Sequence, residues 1–297
     1  MKKVLSLLLL TTAFLSCKKE IDENKIRFLV NEIPNNIPLD FKKDLIPDDK
    51  LIHKGIFSPN LEAYYYTLSD KNFEQFNIYV NKKHNGNWSE PSKAFFNSNH
   101  NDHGMSFSPD GNSIYFSSTR PIAIPGIPST WHIWKSDKVN GTWNEPVFID
   151  IPNLRDKLIS HPTIGNSGTL YFHSSNLDYS EMEIYHSKSI NGKFKDAEKS
   201  AIAFNEENGK CTPYVSPEED YIIFASIKNQ LELNISFSDG KGGWINTKKL
   251  NNKINKIGQG NPYVTPDNQF LFFTTGEHLK GNWKIKWVNI ESELKND

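Results

Sequence analysis

Short runs in which apolar and polar residues alternate, separated by turn motifs, fill most of this chain. Residues 103–107 and 113–117 are two such runs, joined by a Ser-Pro-Asp-Gly turn. A third run, 131–135, is followed by an Asn-Gly pair at 140–141, a strong two-residue signal for a hairpin. Because successive side chains of a strand point to opposite faces of its sheet, period-2 alternation predicts strands. With a further strand opening at Trp143, this unit predicts one four-stranded antiparallel sheet.

The unit recurs about every fifty residues, and a period of this length marks a repeat architecture. The turn after the first strand occurs five times, at 57–60, 108–111, 165–168, 216–219 and 265–268. An aromatic residue after the second hairpin recurs as Trp88, Trp143, Phe194 and Trp244. Its repetition at one position favours packing between neighbouring units over a stacking platform for a ligand. Four strands per repeat indicate a β-propeller, in which radial repetition protects the sheet edges.

The fifth repeat lacks its last strand, because only residues 291–297, a polar tail, follow Ile290. A strand-like segment near residues 38–46 precedes the first repeat and could supply the missing strand, which would remove two exposed edges. We therefore predict an all-β fold: a single β-propeller over residues 38–290, with five four-stranded blades and an N-terminal strand closing the last blade. Six blades are the alternative, and they would need strands from residues 26–37, where none is visible.

The first seventeen residues predict a secretory signal that is removed before folding. Lys2 and Lys3 precede an apolar run, which is too short for a spanning helix, and Ser16 precedes Cys17. A small residue before cysteine resembles the bacterial lipobox, in which Cys17 is lipidated; a plain signal peptide is the alternative. Residues 18–37 are then a tether, whose charged start resembles that of surface-exposed lipoproteins of Bacteroidetes-type bacteria. We expect anchoring by acyl groups at the outer membrane or cell surface, with the periplasmic side as the other option.

Composition excludes several classes of protein. The 34 Lys and Arg residues nearly balance the 35 Asp and Glu residues, giving a net charge of −1, so no nucleic-acid partner is indicated. With Cys17 assigned to lipid, Cys211 has no partner within the chain. We expect Cys211 to be a small buried residue rather than a nucleophile. The roughly 280 remaining residues suffice for one large domain, which we expect to be a monomer.

Residues 108–120, followed by Ile133 and Trp134, resemble the TolB-type WD-like propeller repeat. The shared pattern is a Ser-Pro-Asp-Gly turn, an aromatic strand, Arg120 after it, and an Ile-aromatic pair. The resemblance covers residues 38–290 but is complete only in the second repeat. It implies the fold far more firmly than the activity, because the family includes both binding proteins and enzymes. It also favours a role for Arg120 in holding its loop, with ligand contact as the second option.

Candidate chemistry is expected where the innermost strands begin, because in a propeller these residues converge at one mouth of the channel. The imidazoles of His53, His103 and His161 fall at or beside this position. Neutral imidazoles there could hold a divalent metal, and the resemblance implies such a use, since it extends to propeller lyases with a histidine cluster around a metal. Against this, His161 is offset by one residue, which reverses the side-chain direction in a regular strand. Two other blades offer Thr212 and Asn261 at the position. We assign no metal or other cofactor. The candidate ligand contacts are His53, Asp102, His103, Arg120 and His161.

Two enzyme classes can be tested on the sequence. Sialidases need an arginine triad, and only Arg120 and Arg155 lie within the blades. Five-bladed glycosidases need paired carboxylates on the channel, and the inner strands carry none. We therefore assign no catalytic residue and predict a binding or scaffold module for an envelope protein or a glycan, contacted at the channel mouth and the loop at 120–130. The alternative is an extracellular carbohydrate-active hydrolase or lyase that uses the histidines as a metal site or base.

Overall fold

Five sheets, one for each sequence repeat, stand around a central channel. The computed structural model describes residue 30 and residues 32–204, 209–227, 230–276 and 282–295. In these ranges no helix is both long enough and apolar enough to pass through a membrane. The predicted signal segment and Cys17 lie outside the described residues.

Each blade runs from an innermost strand at the channel to an outermost strand at the rim, in chain order. The chain enters the fold through β1 (Leu39–Asp40) and a 3-10 helix (Lys43–Leu45). Blade 1 contains β2 (Lys50–Phe57), β3 (Ala63–Asp70), β4 (Phe76–His84), β5 (Asn87–Trp88) and β6 (Ser92–Lys93). Blade 2 contains β7 (Asp102–Phe107), β8 (Ser113–Ser118), β9 (His132–Val139), β10 (Thr142–Trp143) and β11 (Val147–Phe148).

The remaining blades follow the same order. A second 3-10 helix (Pro152–Leu154) precedes blade 3. Blade 3 contains β12 (Leu158–Ile164), β13 (Thr169–Ser175), β14 (Glu183–Ile190), β15 (Lys193–Phe194) and β16 (Glu198–Lys199). Blade 4 contains β17 (Ala201–Ile202), β18 (Lys210–Val215), β19 (Tyr221–Ile227), β20 (Leu231–Ser238) and β21 (Gly243–Lys249). β17 departs from the chain order, because it pairs parallel with β21 at the outer edge of the blade. Blade 5 contains β22 (Gln259–Val264), β23 (Phe270–Thr275) and β24 (Lys284–Asn289).

The N-terminal strand closes the ring, as predicted from the missing strand of the last repeat. β1 pairs antiparallel with β24, with Leu39 opposite Trp287 and Asp40 opposite Lys286. Burial alone would raise the pKa of Asp40, but hydrogen bonds from Lys286 and Lys43 outweigh it and lower that pKa to about 2. The prediction of five blades is confirmed, and the described residues form no sixth sheet.

The outermost strands differ from the continuous fourth strand that the sequence predicted. In blades 1 and 2 this strand is split into two short pieces that both pair with the third strand, and Pro91 and Pro146 lie in the gaps. Proline has no N–H to donate to the neighbouring strand, so pairing is interrupted there. In blade 3 the gap has no proline, and the Asn153 side chain bonds both backbone groups of Ala197 instead. β21 of blade 4 is unbroken.

Aromatic and aliphatic side chains fill the spaces between blades. Trp143 of blade 2 belongs to the same apolar cluster as Tyr65 and Val80 of blade 1, and Trp244 of blade 4 packs on Tyr171 of blade 3. The repeated aromatic position therefore serves packing between blades, as the sequence predicted.

Cys211 is buried, also as predicted, and burial raises the pKa of its thiol to about 12.

Candidate functional site

A β-bulge lies in the innermost strand of every blade, beside the channel. In four blades the bulge holds one residue with a left-handed backbone. These residues are Gly104 (φ 61°), His161 (φ 55°), Thr212 (φ 46°) and Asn261 (φ 53°). A bulge adds one residue to the strand and re-aims a side chain that a regular strand would place on the other face. The channel lining is thus set by the bulges rather than by simple alternation.

The bulges bring His161 against His103 in spite of the offset between them. Their ring centroids are 4.6 Å apart, and the ring of His173, from β13, stacks on His161 at 4.8 Å. The Ser160 hydroxyl lies 3.2 Å from Nε2 of His103 and 3.1 Å from Nδ1 of His161. The backbone N–H of Thr212 donates to Nδ1 of His173 at 3.2 Å. The sequence predicted the first two histidines and missed His173, which comes from a second strand.

The imidazoles beside the channel are uncharged at neutral pH; they belong to His53, His103, His161 and His173. Burial lowers the pKa of His53 to about 4 and that of His173 to about 3. Burial, together with the neighbouring histidines and the Lys54 ammonium, holds the pKa values of His103 and His161 well below the usual range. A neutral imidazole keeps one acceptor nitrogen, so the group can accept a proton or a hydrogen bond.

Aromatic rings gather over His53 and His103 at the mouth where the innermost strands begin. We call the set Phe73, Phe76, Trp131 and Trp283 the aromatic mouth. Phe76 lies 5.0 Å from the ring of His53 and 5.3 Å from that of His103. Trp131 lies 4.2 Å from His103, and Trp283 lies 5.5 Å from His53. The rings therefore form a continuous line across blades 5, 1 and 2.

Three members of the aromatic mouth come from equivalent loops. Phe73, Trp131 and Trp283 each lie between the second and third strands of their blades, and each is only half-buried. The corresponding loop of blade 3 exposes Leu177 and Tyr179. The sequence analysis did not single out these residues. A usable signal was the aromatic residue in or at the end of that loop in four of the five repeats.

Asp102 and Arg120 form a separate buried pair. Asp102 is fully buried and accepts hydrogen bonds from the backbone and hydroxyl of Ser98, at 2.7 and 2.9 Å. The Arg120 guanidinium lies 3.2 Å from the same carboxyl group, bonds the Phe96 carbonyl, and stacks over Phe116 and Trp134. These contacts fix the start of the loop at 120–130.

Replacing Arg120 with alanine should lower the free energy of unfolding by about 3 to 5 kcal/mol, because the buried Asp102 carboxylate would lose its cation. Arg120→Lys should recover little of this loss, since an ammonium cannot reproduce the planar stacking contacts. Urea unfolding measures both variants. Arg155→Ala is the control, because Arg155 pairs with Asp150 at the surface and its loss should have little effect. An Arg120→Ala variant as stable as the control would contradict the prediction.

Within the described ranges, no group of three or more His, Cys, Asp or Glu side chains is arranged to hold a metal ion. Nε2 of His103 and Nδ1 of His161 both face the hydroxyl of Ser160. The arrangement suits hydrogen bonding or general-base chemistry better than metal coordination.

Comparisons with known proteins identify the class of fold. No protein-family model matches the chain, and no curated protein matches it in sequence. A thermostable family-43 glycoside hydrolase is similar in structure, with a TM-score of 0.53 and 13% identity over 82% of this chain and 90% of that one. TolB from Acinetobacter baumannii has a TM-score of 0.44 and 15% identity over 82% of this chain, which spans 65% of the length of TolB.

An oligogalacturonate lyase in complex with manganese is also similar, with a TM-score of 0.44 and 10% identity over 84% of this chain and 68% of that one. At such identities the likeness concerns the fold alone. The five sheets of the chain make it a five-bladed β-propeller, and its structural neighbours include TolB, a hydrolase and a lyase.

Proposed function

We propose that this protein is a binding module that takes a glycan at the aromatic mouth. The observation that carries the proposal is the convergence of half-exposed aromatic rings from equivalent loops of three neighbouring blades. Binding sites are typically concave, with aromatic walls and a few well-placed polar groups. A pyranose ring offers a flat C–H face that packs on an aromatic ring, while its hydroxyls can bond His103 and the loop backbone.

Rigid aromatic side chains suit such a ligand, because little side-chain entropy is lost when it binds. The imidazoles of His53 and His103 pack against the aromatic mouth, and Phe76 contacts both of them. Leu177 and Tyr179 would extend the contact surface toward blade 3. An envelope protein is the other ligand class for the same surface, and failure of every oligosaccharide in the test below to bind would favour it.

The test is titration calorimetry with a panel of soluble gluco-, galacto- and xylo-oligosaccharides. At least one should bind, and Trp131→Ala should weaken binding by tenfold or more, which is about 1.4 kcal/mol. Trp143→Ala is the matched control, since Trp143 follows a turn at the opposite end of its blade, and it should leave binding unchanged. If no oligosaccharide binds, or if Trp131→Ala binds as well as the native protein, the glycan assignment is wrong.

We further propose that the propeller works as a monomer held by lipid on Cys17 at the outer membrane or cell surface. The motif before Cys17 and the charged segment after it support this anchor. Cys17→Ala should move the protein from the membrane fraction to the soluble fraction of the producing cells. Continued association of that variant with membranes would count against the anchor.

A hydrolase or lyase is the second candidate, and the neutral pair His103 and His161 is the observation that favours it. A neutral imidazole at a ligand-binding mouth could act as a general base. If so, His103→Ala should abolish turnover of an oligosaccharide that still binds. Metal analysis of the purified protein and of this variant would show whether the histidines carry a divalent ion. Binding without turnover would leave the binding module as the function.

A further inference from the structure

A buried lysine without a counter-ion lies in the channel, and it indicates a second binding site besides the proposed glycan site. Lys54, in the bulge of β2, is only 4% exposed. Across the described ranges its ammonium makes no hydrogen bond or ion pair. Buried lysines are almost always paired, because removing an ammonium from water is costly. Lys210, the other buried lysine of the channel strands, follows this rule and lies 3.0 Å from the Glu183 carboxylate.

Lys54 lines a cavity of about 80 Å³ at the end of the channel opposite the aromatic mouth. Innermost strands of all five blades form its walls, and most of the wall residues are apolar, with Ser106, Ser108 and Thr163 as uncharged polar exceptions. Prolines from the turns of four blades surround it: Pro59, Pro109, Pro217 and Pro266. The cavity thus combines one cation with an apolar wall.

The polar groups beside Lys54 supply no negative charge. The hydroxyl of Tyr214 donates to the Val264 carbonyl, and that of Tyr263 donates to the Phe57 carbonyl. Burial raises the pKa values of both tyrosines well above their usual range, so neither ionises near neutral pH. His103, His161 and His173, which face Lys54 from blades 2 and 3, are neutral. A counter-charge must therefore come from a ligand.

We propose that this cavity binds a small monocarboxylate with an apolar body. The carboxylate accepts hydrogen bonds from the Lys54 ammonium, and the apolar body lies among the prolines and aliphatic side chains. Charge-assisted hydrogen bonds in a desolvated site are stronger than neutral ones, so a single ammonium is sufficient to orient such a ligand. The cavity of about 80 Å³ is smaller than the roughly 150 Å³ cavity that holds a benzene molecule, so it fits an acid with a few carbon atoms better than a long chain.

The probes are acetate, butyrate and hexanoate, with butyramide as the uncharged analogue of butyrate, each titrated by calorimetry. Butyrate should bind and butyramide should not. Each methylene that the cavity accommodates should strengthen binding by about fourfold. Burial lowers the pKa of Lys54 to about 8, so the ammonium is lost as the pH rises through that value. Binding of butyrate should therefore be about thirtyfold weaker at pH 9.5 than at pH 7.

Lys54→Met keeps the shape of the side chain and removes its charge, so it should fold and lose butyrate binding by tenfold or more. Lys210→Met is the matched control and should bind butyrate normally. Trp131→Ala should also bind butyrate, which separates this site from the proposed glycan site. The proposal is overturned if no acid binds, if butyramide binds as well as butyrate, or if Lys54→Met retains the affinity. Binding of a peptide carboxyl terminus in place of every free acid would overturn the small-molecule assignment.

Discussion

Acidification below about pH 5 should unfold this protein, because the fold holds the four imidazoles beside the channel in neutral form. The four are His53, His103, His161 and His173. Burial lowers the folded pKa of His53 to about 4 and that of His173 to about 3, and it holds the pKa values of His103 and His161 well below the usual range. In the unfolded chain a histidine has a pKa near 6.5. Between these values the unfolded state binds more protons than the folded state. The stability is therefore complete above about pH 6.5 and falls as the pH drops.

The size of the effect follows from the number of groups. Each buried imidazole can lower the free energy of unfolding by up to about 1.4 kcal/mol for every pH unit below 6.5. Four of them would remove a typical stability of about 5 to 15 kcal/mol within one to three pH units. The carboxylate of Asp40 acts in a lower window, since its folded pKa of about 2 lies below the usual value and its contribution is lost only below about pH 4.

Urea unfolding at intervals from pH 8 to pH 5 measures this dependence. His173→Asn removes one imidazole but retains an acceptor for the Thr212 N–H, so the stability of this variant should fall less steeply with pH. His84→Gln is the control, because His84 is exposed and its loss should leave the slope as it is. Equal stability of the native protein at pH 7 and pH 5 would refute the prediction.

Phe41→Ala should lower the free energy of unfolding by about 3 to 5 kcal/mol, the usual cost of deleting a fully buried phenylalanine. The Phe41 ring is almost completely buried and contacts four other rings, which belong to Phe57, Tyr64, Phe272 and Trp287. Its backbone N–H donates to the Ile285 carbonyl at 2.8 Å. Phe41 thus links the N-terminal strand to the first and last blades.

Thermal unfolding followed by circular dichroism tests this role, and the midpoint should fall by about 6 to 15 °C. Ile37→Ala lies four residues earlier on the same segment, and its side chain is 54% exposed, so it should change the midpoint very little. If both variants melt at the native temperature, the N-terminal segment does not hold the ring together, and the closure described above is wrong.

The architecture could be predicted from the sequence because it depends on repeated local signals. The turns recur at a fixed period, and the last repeat visibly lacks a strand that the N-terminus can supply. The split outermost strands were less predictable, since each depends on one proline or, in blade 3, on a distant asparagine.

The site was harder to predict, because it depends on bulges and on contacts between blades. Simple alternation placed His161 on the wrong face relative to His103, whereas the bulge at residue 161 brings the two rings together. One signal was available: His161, Thr212 and Asn261 are each followed by proline. No local sequence pattern connects His173 to this cluster, because His173 lies in β13, the strand beside the one that carries His161. The sequence pattern did not point to Lys54, a charged residue within a strand whose positions 51–57 are all buried.

The pairing of Leu39 with Trp287 joins the first strand of the fold to the last one made. During synthesis the N-terminal strand emerges early and has no sheet to join until the carboxyl-terminal blade is complete. Chains that stop short of β24 would keep two open sheet edges, which invite association with other chains. The order of synthesis thus acts as a check on the chain, because only a polypeptide that extends through β24 can cover both of these edges.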